Sequence, residues 1–205
     1  MIITLEELAK LNACPGGIKW FCDKYAHKSI TFETLISDLL QAGKEIWINW
    51  LVTRKLSAEN CVRYAIFAAE QVLHPYEDKY PGDKRPRNAI DAAKKYLKDK
   101  NDDAARAAYD AARAAYDAAY DVHDAFYSHN AFAARAAYDA AYAAFYAARD
   151  ATYAAEVASY AAARDVYAYA AHAGDAAAHA ANSAAAKKEM YKKIIDYGLE
   201  LLMRK

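Results

Sequence analysis

The chain has 205 residues, enough for a buried core, and its 27 basic and 27 acidic residues give a formal net charge of zero. Neutrality excludes the broad electrostatic attraction that nucleic-acid-binding and membrane-surface proteins use. No apolar run approaches the ~20 residues of a membrane span, and the first residues lack a signal-peptide pattern. The three cysteines, Cys14, Cys22 and Cys61, form no Cys-x-x-Cys motif, which indicates reduced thiols in a cytoplasmic protein.

The first part of the chain predicts a series of short helices. A capping box at Thr4 and Glu7 begins the first helix, and Pro15-Gly16-Gly17 is expected to end it. Thr31 caps a second amphipathic stretch, which closes at Gly43 as a C-terminal cap. These local signals predict several helix starts and stops within fifty residues.

Further helices are predicted up to residue 100. Ser57 caps a helix that His74-Pro75 is expected to end, and Pro86 suits the first turn of the next one. Trp20, Trp47 and Trp50 are interpreted as core anchors. No strand-like alternation is present, so the sequence predicts an all-α fold.

The stretch from Asp102 to Ala186 is dominated by alanine, the best helix former. Ten tyrosines between Tyr109 and Tyr167 recur at spacings of 4, 7 or 11, which keeps them within roughly 120° of arc on a helix. Breaks are expected at Ser128-His129-Asn130 and at Gly174-Asp175. The pattern predicts long antiparallel helices that bury the tyrosines.

These patterns predict a multi-helix bundle in two parts. Residues 1–56 form an N-terminal helical module, and residues 57–205 form a bundle whose long antiparallel helices are rich in alanine and tyrosine. Tyrosines left exposed on such helices would favour a homo-oligomer.

Charged residues in the alanine-rich stretch indicate a docking surface. Aspartates and arginines alternate at helical spacing as far as Asp117, which is typical of a solvated face. Asp121 and Asp124 continue that face without a basic residue, and a basic protein partner would relieve their mutual repulsion. The alternative is that these carboxylates are simply tolerated in water. The predicted partner-binding residues are Asp110, Tyr116, Asp117, Tyr120, Asp121 and Asp124.

Other candidate sites have weaker patterns. Arg85 and Arg87, in a basic loop at a helix start, are candidates for holding an anion; the alternative is that both bond neighbouring carboxylates. His172, Asp175 and His179 have metal-ligand spacing, but isolated histidines are commoner, so neither a metal nor a cofactor is predicted. No catalytic motif is present, and the protein is expected to be non-enzymatic.

Part of the chain resembles a bacterial family. Four segments are similar to immunity proteins of polymorphic toxin systems, whose members likewise continue into an alanine-rich helical region: Trp50-Leu51, Leu56–Arg63, Phe67–Leu73 and Tyr80–Ile90. Residues 11–21 also resemble a small module of phage and bacterial proteins. The resemblance implies a cytoplasmic protein that neutralises a toxin by direct contact.

Two functions are therefore expected. The first is a non-enzymatic immunity or inhibitor protein of a bacterium or phage, which binds a toxin or defence protein through the tyrosine- and aspartate-bearing surface. The alternative is a phage-encoded counter-defence protein that sequesters a small ligand or nucleotide between helices, with tyrosine stacking and Arg85 and Arg87 as its contacts.

Overall fold

The computed structural model describes residues 1–117, with gaps at 102, 105, 109, 113 and 116, together with residues 166–179 and 184–204. The described chain is helical apart from one small sheet, which confirms the all-α prediction. Residues described between 103 and 117 are also helical. The helices are α1 (Leu5–Lys10), α2 (Pro15–Tyr25), α3 (Phe32–Gln41), α4 (Glu45–Lys55), α5 (Ala58–Lys79), α6 (Arg85–Asp99), α7 (Val166–His179) and α8 (Ala184–Met203).

The sequence does not predict the small sheet. Strand β1 (Ile2–Ile3) pairs antiparallel with β2 (Ile30–Thr31), with Ile2 opposite Thr31. Two-residue strands are too short to show an alternating pattern. The sheet ties the first residues of the chain to the start of α3.

Three predicted helix caps are confirmed. The Thr4 hydroxyl accepts the Glu7 N–H at 3.1 Å, and the Thr31 hydroxyl accepts the Thr34 N–H at 3.1 Å. The Ser57 hydroxyl accepts the Asn60 N–H at 3.2 Å at the start of α5. Gly43 follows α3 as predicted. Its φ of 62° is a left-handed conformation that glycine adopts without strain.

The prediction that Pro15-Gly16-Gly17 ends the first helix is wrong. Pro15 begins α2, where its missing N–H costs nothing because the first turn has no intrahelical partner for it. The Cys14 thiol caps this helix by accepting the Gly17 N–H at 3.4 Å. Helix α1 ends earlier, at Lys10, and Asn12 beyond it has φ of 60°.

The prediction that His74-Pro75 ends its helix is also wrong, because α5 continues to Lys79. A proline inside a helix removes one backbone hydrogen bond. A neighbouring helix stabilises the turn that follows Pro75, since Arg87 of α6 donates to both carboxylate oxygens of Glu77 at 2.9 and 2.6 Å.

One continuous core joins these helices. Its buried residues run from Ile3 to Leu201. Helix α5 packs against α6, α7 and α8, and α4 packs against α3, α7 and α8. Helices α4 and α5, on either side of the predicted boundary between residues 1–56 and 57–205, therefore share two neighbours. Within the described ranges, no helix combines the length and apolarity required to cross a bilayer.

The helical residues between 103 and 117 bury alanines. Four of them, at spacings of 4, 4 and 3, are almost inaccessible to solvent: Ala104, Ala108, Ala112 and Ala115. Arg106, Asp110 and Asp117 are exposed, as expected of a solvated charged face. Of the ten regularly spaced tyrosines, Tyr167 is described and half-buried, and the other nine lie outside the described residues, as does the expected break at Ser128-His129-Asn130.

Candidate ligand-binding cavity

All three tryptophans of the chain line one cavity. Trp20 comes from α2, and Trp47 and Trp50 come from α4. The cavity has a volume of about 360 Å³, and apolar side chains of α1 and α3 complete its wall. The Trp20 and Trp47 rings meet edge to face, with centroids 6.2 Å apart and planes at 71°. A small, mostly apolar cavity with aromatic walls is typical of a small-molecule site.

The buried residues of α2 and α4 determine where the tryptophans lie. Phe21 is fully buried beside Trp20, and Ile48, Leu51 and Val52 occupy the buried side of α4. The tryptophans therefore pack against the core but stay half-buried, and their remaining surface lines the cavity. The interpretation of the tryptophans as core anchors missed the cavity. The sequence did contain a signal for it, because α4 has enough other apolar residues to form a buried face without its two indole rings.

Arg54 supplies a cation to the cavity wall. Its guanidinium carbon lies 5.9 Å from the centroid of the Trp50 ring and 5.8 Å from that of Tyr167. Among the described residues, no carboxylate lies at ion-pair distance from Arg54. A guanidinium held between two rings keeps its N–H donors available for a ligand, because ring faces do not use all five of them.

A buried hydrogen-bond network lies behind one wall of the cavity. The Asn49 amide of α4 donates to the Ala171 carbonyl and to the Asp175 carboxylate, both at 2.8 Å and both in α7. The Tyr64 hydroxyl of α5 donates to the Asn49 side-chain oxygen at 2.6 Å. The Tyr191 hydroxyl of α8 donates to Asp175 at 3.0 Å. The network, defined as Asn49, Tyr64, Asp175 and Tyr191, thus fixes four helices relative to one another.

The environment raises the pKa of both phenols of this network. Burial raises the pKa of Tyr64 well above its usual value, and the neighbouring Asp175 charge raises it further. Burial followed by the Asp175 charge also raises the pKa of Tyr191. Burial raises the pKa of the Cys61 thiol to about 12. The upward shifts widen the pH range over which both tyrosines are hydrogen-bond donors and Cys61 is a neutral thiol.

Gly174 is required by the close approach of α7 to this network. A Cβ at position 174 would lie 2.6 Å from the Asn49 side-chain oxygen. The prediction of a break at Gly174-Asp175 is wrong, since α7 runs through both residues to His179. Glycine is tolerated in this helix because a larger residue would displace the buried amide.

The histidine pattern does not bring together metal ligands in the described structure. Asp175 accepts hydrogen bonds from Asn49 and Tyr191, and His172 is exposed. No group of three or more histidine, cysteine or acidic side chains able to hold an ion occurs in the part of the chain that is described.

The two arginines proposed to hold an anion are bonded to carboxylates. Arg85 donates to both oxygens of Asp83 at distances from 2.7 to 3.1 Å, and Arg87 donates to Glu77. The Arg87 guanidinium holds the pKa of the Glu77 carboxyl below its usual range. This is the alternative arrangement that the sequence offered. The pairs lie between α5 and α6, whereas the cavity is bounded by α1 to α4 and α7.

The predicted partner-binding surface is described only in part. Asp110 and Asp117 are exposed on the helical residues between 103 and 117. Tyr116, Tyr120, Asp121 and Asp124 lie outside the described residues. The docking role of this set stays a prediction.

No model of a protein family, no curated protein and no solved structure matches this chain. The resemblance to immunity proteins therefore stays a prediction from the sequence. The tryptophan-lined cavity is the feature that bears most directly on function.

Proposed function

We propose that the protein is a non-enzymatic binding protein that holds a small planar ligand in the tryptophan-lined cavity. The observation that carries this proposal is the convergence of all three tryptophans of the chain on one cavity. Indole rings provide a large apolar contact area and stack on flat ligands. Two helices separated in sequence supply them, so the site depends on the folded bundle.

The wall formed by α4 and α7 supports the same proposal. Asn49 of α4 is fully buried, and its amide donates to Ala171 and Asp175 of α7, so the residues of α7 at the cavity have a fixed position. A site that is already ordered loses less conformational entropy when its ligand binds. The network thus favours binding by a largely preformed cavity.

Two polar groups at the cavity, Arg54 and Asp175, fit binding better than catalysis. The Arg54 guanidinium offers five N–H donors and no acceptor, which suits recognition of a ligand. One Asp175 oxygen already accepts hydrogen bonds from Asn49 and Tyr191, which favours a structural carboxylate. Recognition and sequestration therefore follow more directly from these residues than proton transfer does.

Intrinsic fluorescence tests the proposal directly. Since every tryptophan lines the cavity, a stacked ligand should change the emission in a saturable way. A panel of nucleosides, nucleotides, aromatic amino acids and flavins provides the planar probes. A bound probe should also raise the Tm, because binding to the folded state alone stabilises by RT ln(1 + [L]/Kd).

A matched pair of variants controls for unfolding. Trp50→Ala should abolish the saturable emission change while helical circular dichroism is retained. Tyr96→Ala changes a half-buried aromatic residue of α6, away from the cavity, and should leave binding intact. Equal binding by the Trp50 variant and the unchanged chain, or a panel without any binding, contradicts the proposal.

The second candidate is an immunity or inhibitor protein that binds a basic partner, as the sequence resemblance implies. Its supporting observation is the exposure of Asp103, Asp110 and Asp117, which recur every seven residues and so share a helix face. Complementary charge on a toxin or defence protein would steer association with this face. This partner function is separable from the cavity, because the aspartates belong to another helical segment.

A pull-down from host lysate tests the partner function. The variant carries Asp110→Ala and Asp117→Ala together with changes at Asp121 and Asp124. Asp196→Ala, an exposed aspartate of α8, is the matched control. Loss of one captured protein in the acidic-face variant alone supports the second candidate. Capture of the same proteins by all three chains removes the acidic face from consideration.

A further inference from the structure

A second cavity adjoins the tryptophan-lined one. It has a volume of about 510 Å³, and Ile46 and Trp47 line both cavities. Trp47 therefore separates two neighbouring spaces of different character. The first is aromatic, and the second is bordered by charged side chains.

Lysines dominate the second cavity. Lys44, Lys187 and Lys188 line it together with one acidic residue, Glu45. Lys187 apart, the described lining still sets the two ammonium groups of Lys44 and Lys188 against the single carboxylate of Glu45, so its formal charge is positive although the whole chain is neutral. The Lys44 ammonium nitrogen lies 4.2 Å from the centroid of Trp47, so positive charge is placed directly beside the shared indole. Clustered lysines attract anionic groups such as phosphate.

We infer that the ligand is a nucleotide, with its base in the tryptophan-lined cavity and its phosphate in the adjoining lysine cavity. The inference rests on the proposed function and adds the chemical class of the ligand. A planar base fits the indole walls, and the Arg54 donors match the carbonyl oxygens and ring nitrogens of a heteroaromatic base. The lysines supply the charge that a phosphate requires.

Other ligand classes would use only half of this arrangement. A planar hydrocarbon would leave the lysine cavity and the Arg54 donors without partners. Inorganic phosphate would leave the three indole rings without a partner. A single molecule that joins a flat heteroaromatic ring to a phosphate would place one group in each cavity, on the two sides of Trp47.

Calorimetric and fluorescence titrations of the full chain test this inference. The probes are AMP, GMP, CMP and UMP, with the matching nucleosides, phenyl phosphate and inorganic phosphate as comparisons. At least one nucleotide should bind about ten- to a hundredfold more tightly than its nucleoside, which is the range that charge-assisted contacts provide. This advantage should shrink as salt is added.

Variants on the lysine side separate the two halves of the site. Lys44→Gln and Lys188→Gln should each weaken nucleotide binding severalfold and leave nucleoside binding unchanged. Lys193→Gln alters an exposed lysine of the same helix α8 and is the matched control, with no expected effect. Trp50→Ala should lower the affinity for nucleotides and for nucleosides by similar factors.

The outcomes distinguish the inference from the proposed function. Equal affinity for nucleotides and nucleosides overturns the nucleotide assignment while the binding function stands. Phenyl phosphate that binds as tightly as the nucleotides also overturns it, because no base is then recognised. If none of the planar probes binds, both the inference and the proposed function are overturned.

Discussion

Helices α6 and α7 pack against the same helix, α5, by different means. Helix α6 buries Ile90 completely, and ion pairs join its margin to α5, with Lys94 2.7 Å from Glu70 as an example. Helix α7 presents small residues, of which Ala170, Ala173, Ala177 and Ala178 are fully buried. The first contact gains its stability from a large apolar side chain, and the second from close approach of the helices.

The difference determines what each contact tolerates. Removal of atoms from the α6 contact leaves a cavity, because neighbouring side chains only partly collapse into the space. Addition of atoms to α7 is also costly, because Gly174 already lies against the Asn49 side chain of the neighbouring helix α4. Four substitutions test this comparison, in descending order of expected effect.

Ile90→Ala should lower the free energy of unfolding by about 2–5 kcal/mol, because it removes a fully buried side chain from the α6 contact. Urea unfolding measures the change. Met203→Ala, at a residue that is 75% exposed, is the control and should change stability by about 0.5 kcal/mol or less. Equal effects of the two variants would show that α6 does not depend on Ile90.

Gly174→Ala should lower the free energy of unfolding by about 1–3 kcal/mol, because the added methyl group meets the Asn49 oxygen. Helix propensity alone predicts the opposite sign, a gain of about 1 kcal/mol. Gly82→Ala is the matched control, since a Cβ there meets open space. A more stable Gly174 variant in thermal unfolding would contradict the close packing of α7.

Tyr64→Phe should lower the free energy of unfolding by about 1–2 kcal/mol at neutral pH, because the buried Asn49 side-chain oxygen loses its hydrogen-bond donor. Burial raises the pKa of Tyr64, so the folded state holds the phenolic proton more tightly than the unfolded state does. The resulting stability is complete below the unfolded pKa of about 10 and is lost as the pH rises above it.

Urea unfolding of Tyr64→Phe and the unchanged chain at pH 7 and at alkaline pH measures this dependence. The variant should lose less stability than the unchanged chain above about pH 10. Parallel losses in the two chains would mean that the Tyr64 phenol does not resist ionisation.

Arg87→Gln should have the smallest effect, about 0.2–1 kcal/mol, because the pair with Glu77 is partly exposed and solvent screens it. The guanidinium lowers the pKa of Glu77 in the folded state. The pair therefore stabilises the fold at any pH above the carboxyl pKa of the unfolded chain, and this stabilisation is lost as the pH falls through the pKa of the folded state. A double-mutant cycle with Glu77→Gln isolates the pair energy. A coupling energy of zero would show that the last turn of α5 is held by packing alone.

Local chemistry made part of this fold predictable. Thr4, Thr31 and Ser57 cap helices because each hydroxyl reaches a backbone N–H three residues along the chain. Pro15 and Pro75 were misread because a proline is compatible with a helix start, a helix end or a compensated interior position. Only contacts from elsewhere in the fold, such as Arg87 on Glu77, decide between these cases.

The candidate cavity was less predictable, because it is assembled from distant residues. Trp20 and Trp47 belong to separate helices, and helical periodicity relates residues only within one helix. Gly174 was interpreted as a break for the same reason, since the buried Asn49 amide that requires glycine lies in another helix. The sequence does identify the tryptophans as structurally important aromatic residues, but not their convergence.

The Asn49 amide has a consequence for the order of events during synthesis. Its carboxylate partner, Asp175, lies 126 residues further along the chain, and Asn60 of α5 bonds the Leu201 carbonyl across 141 residues. A nascent chain that has emerged from the ribosome only as far as α6 lacks these partners. The buried contacts of the first helices therefore cannot form until the last helices have been synthesised. Contacts this distant along a chain also form slowly.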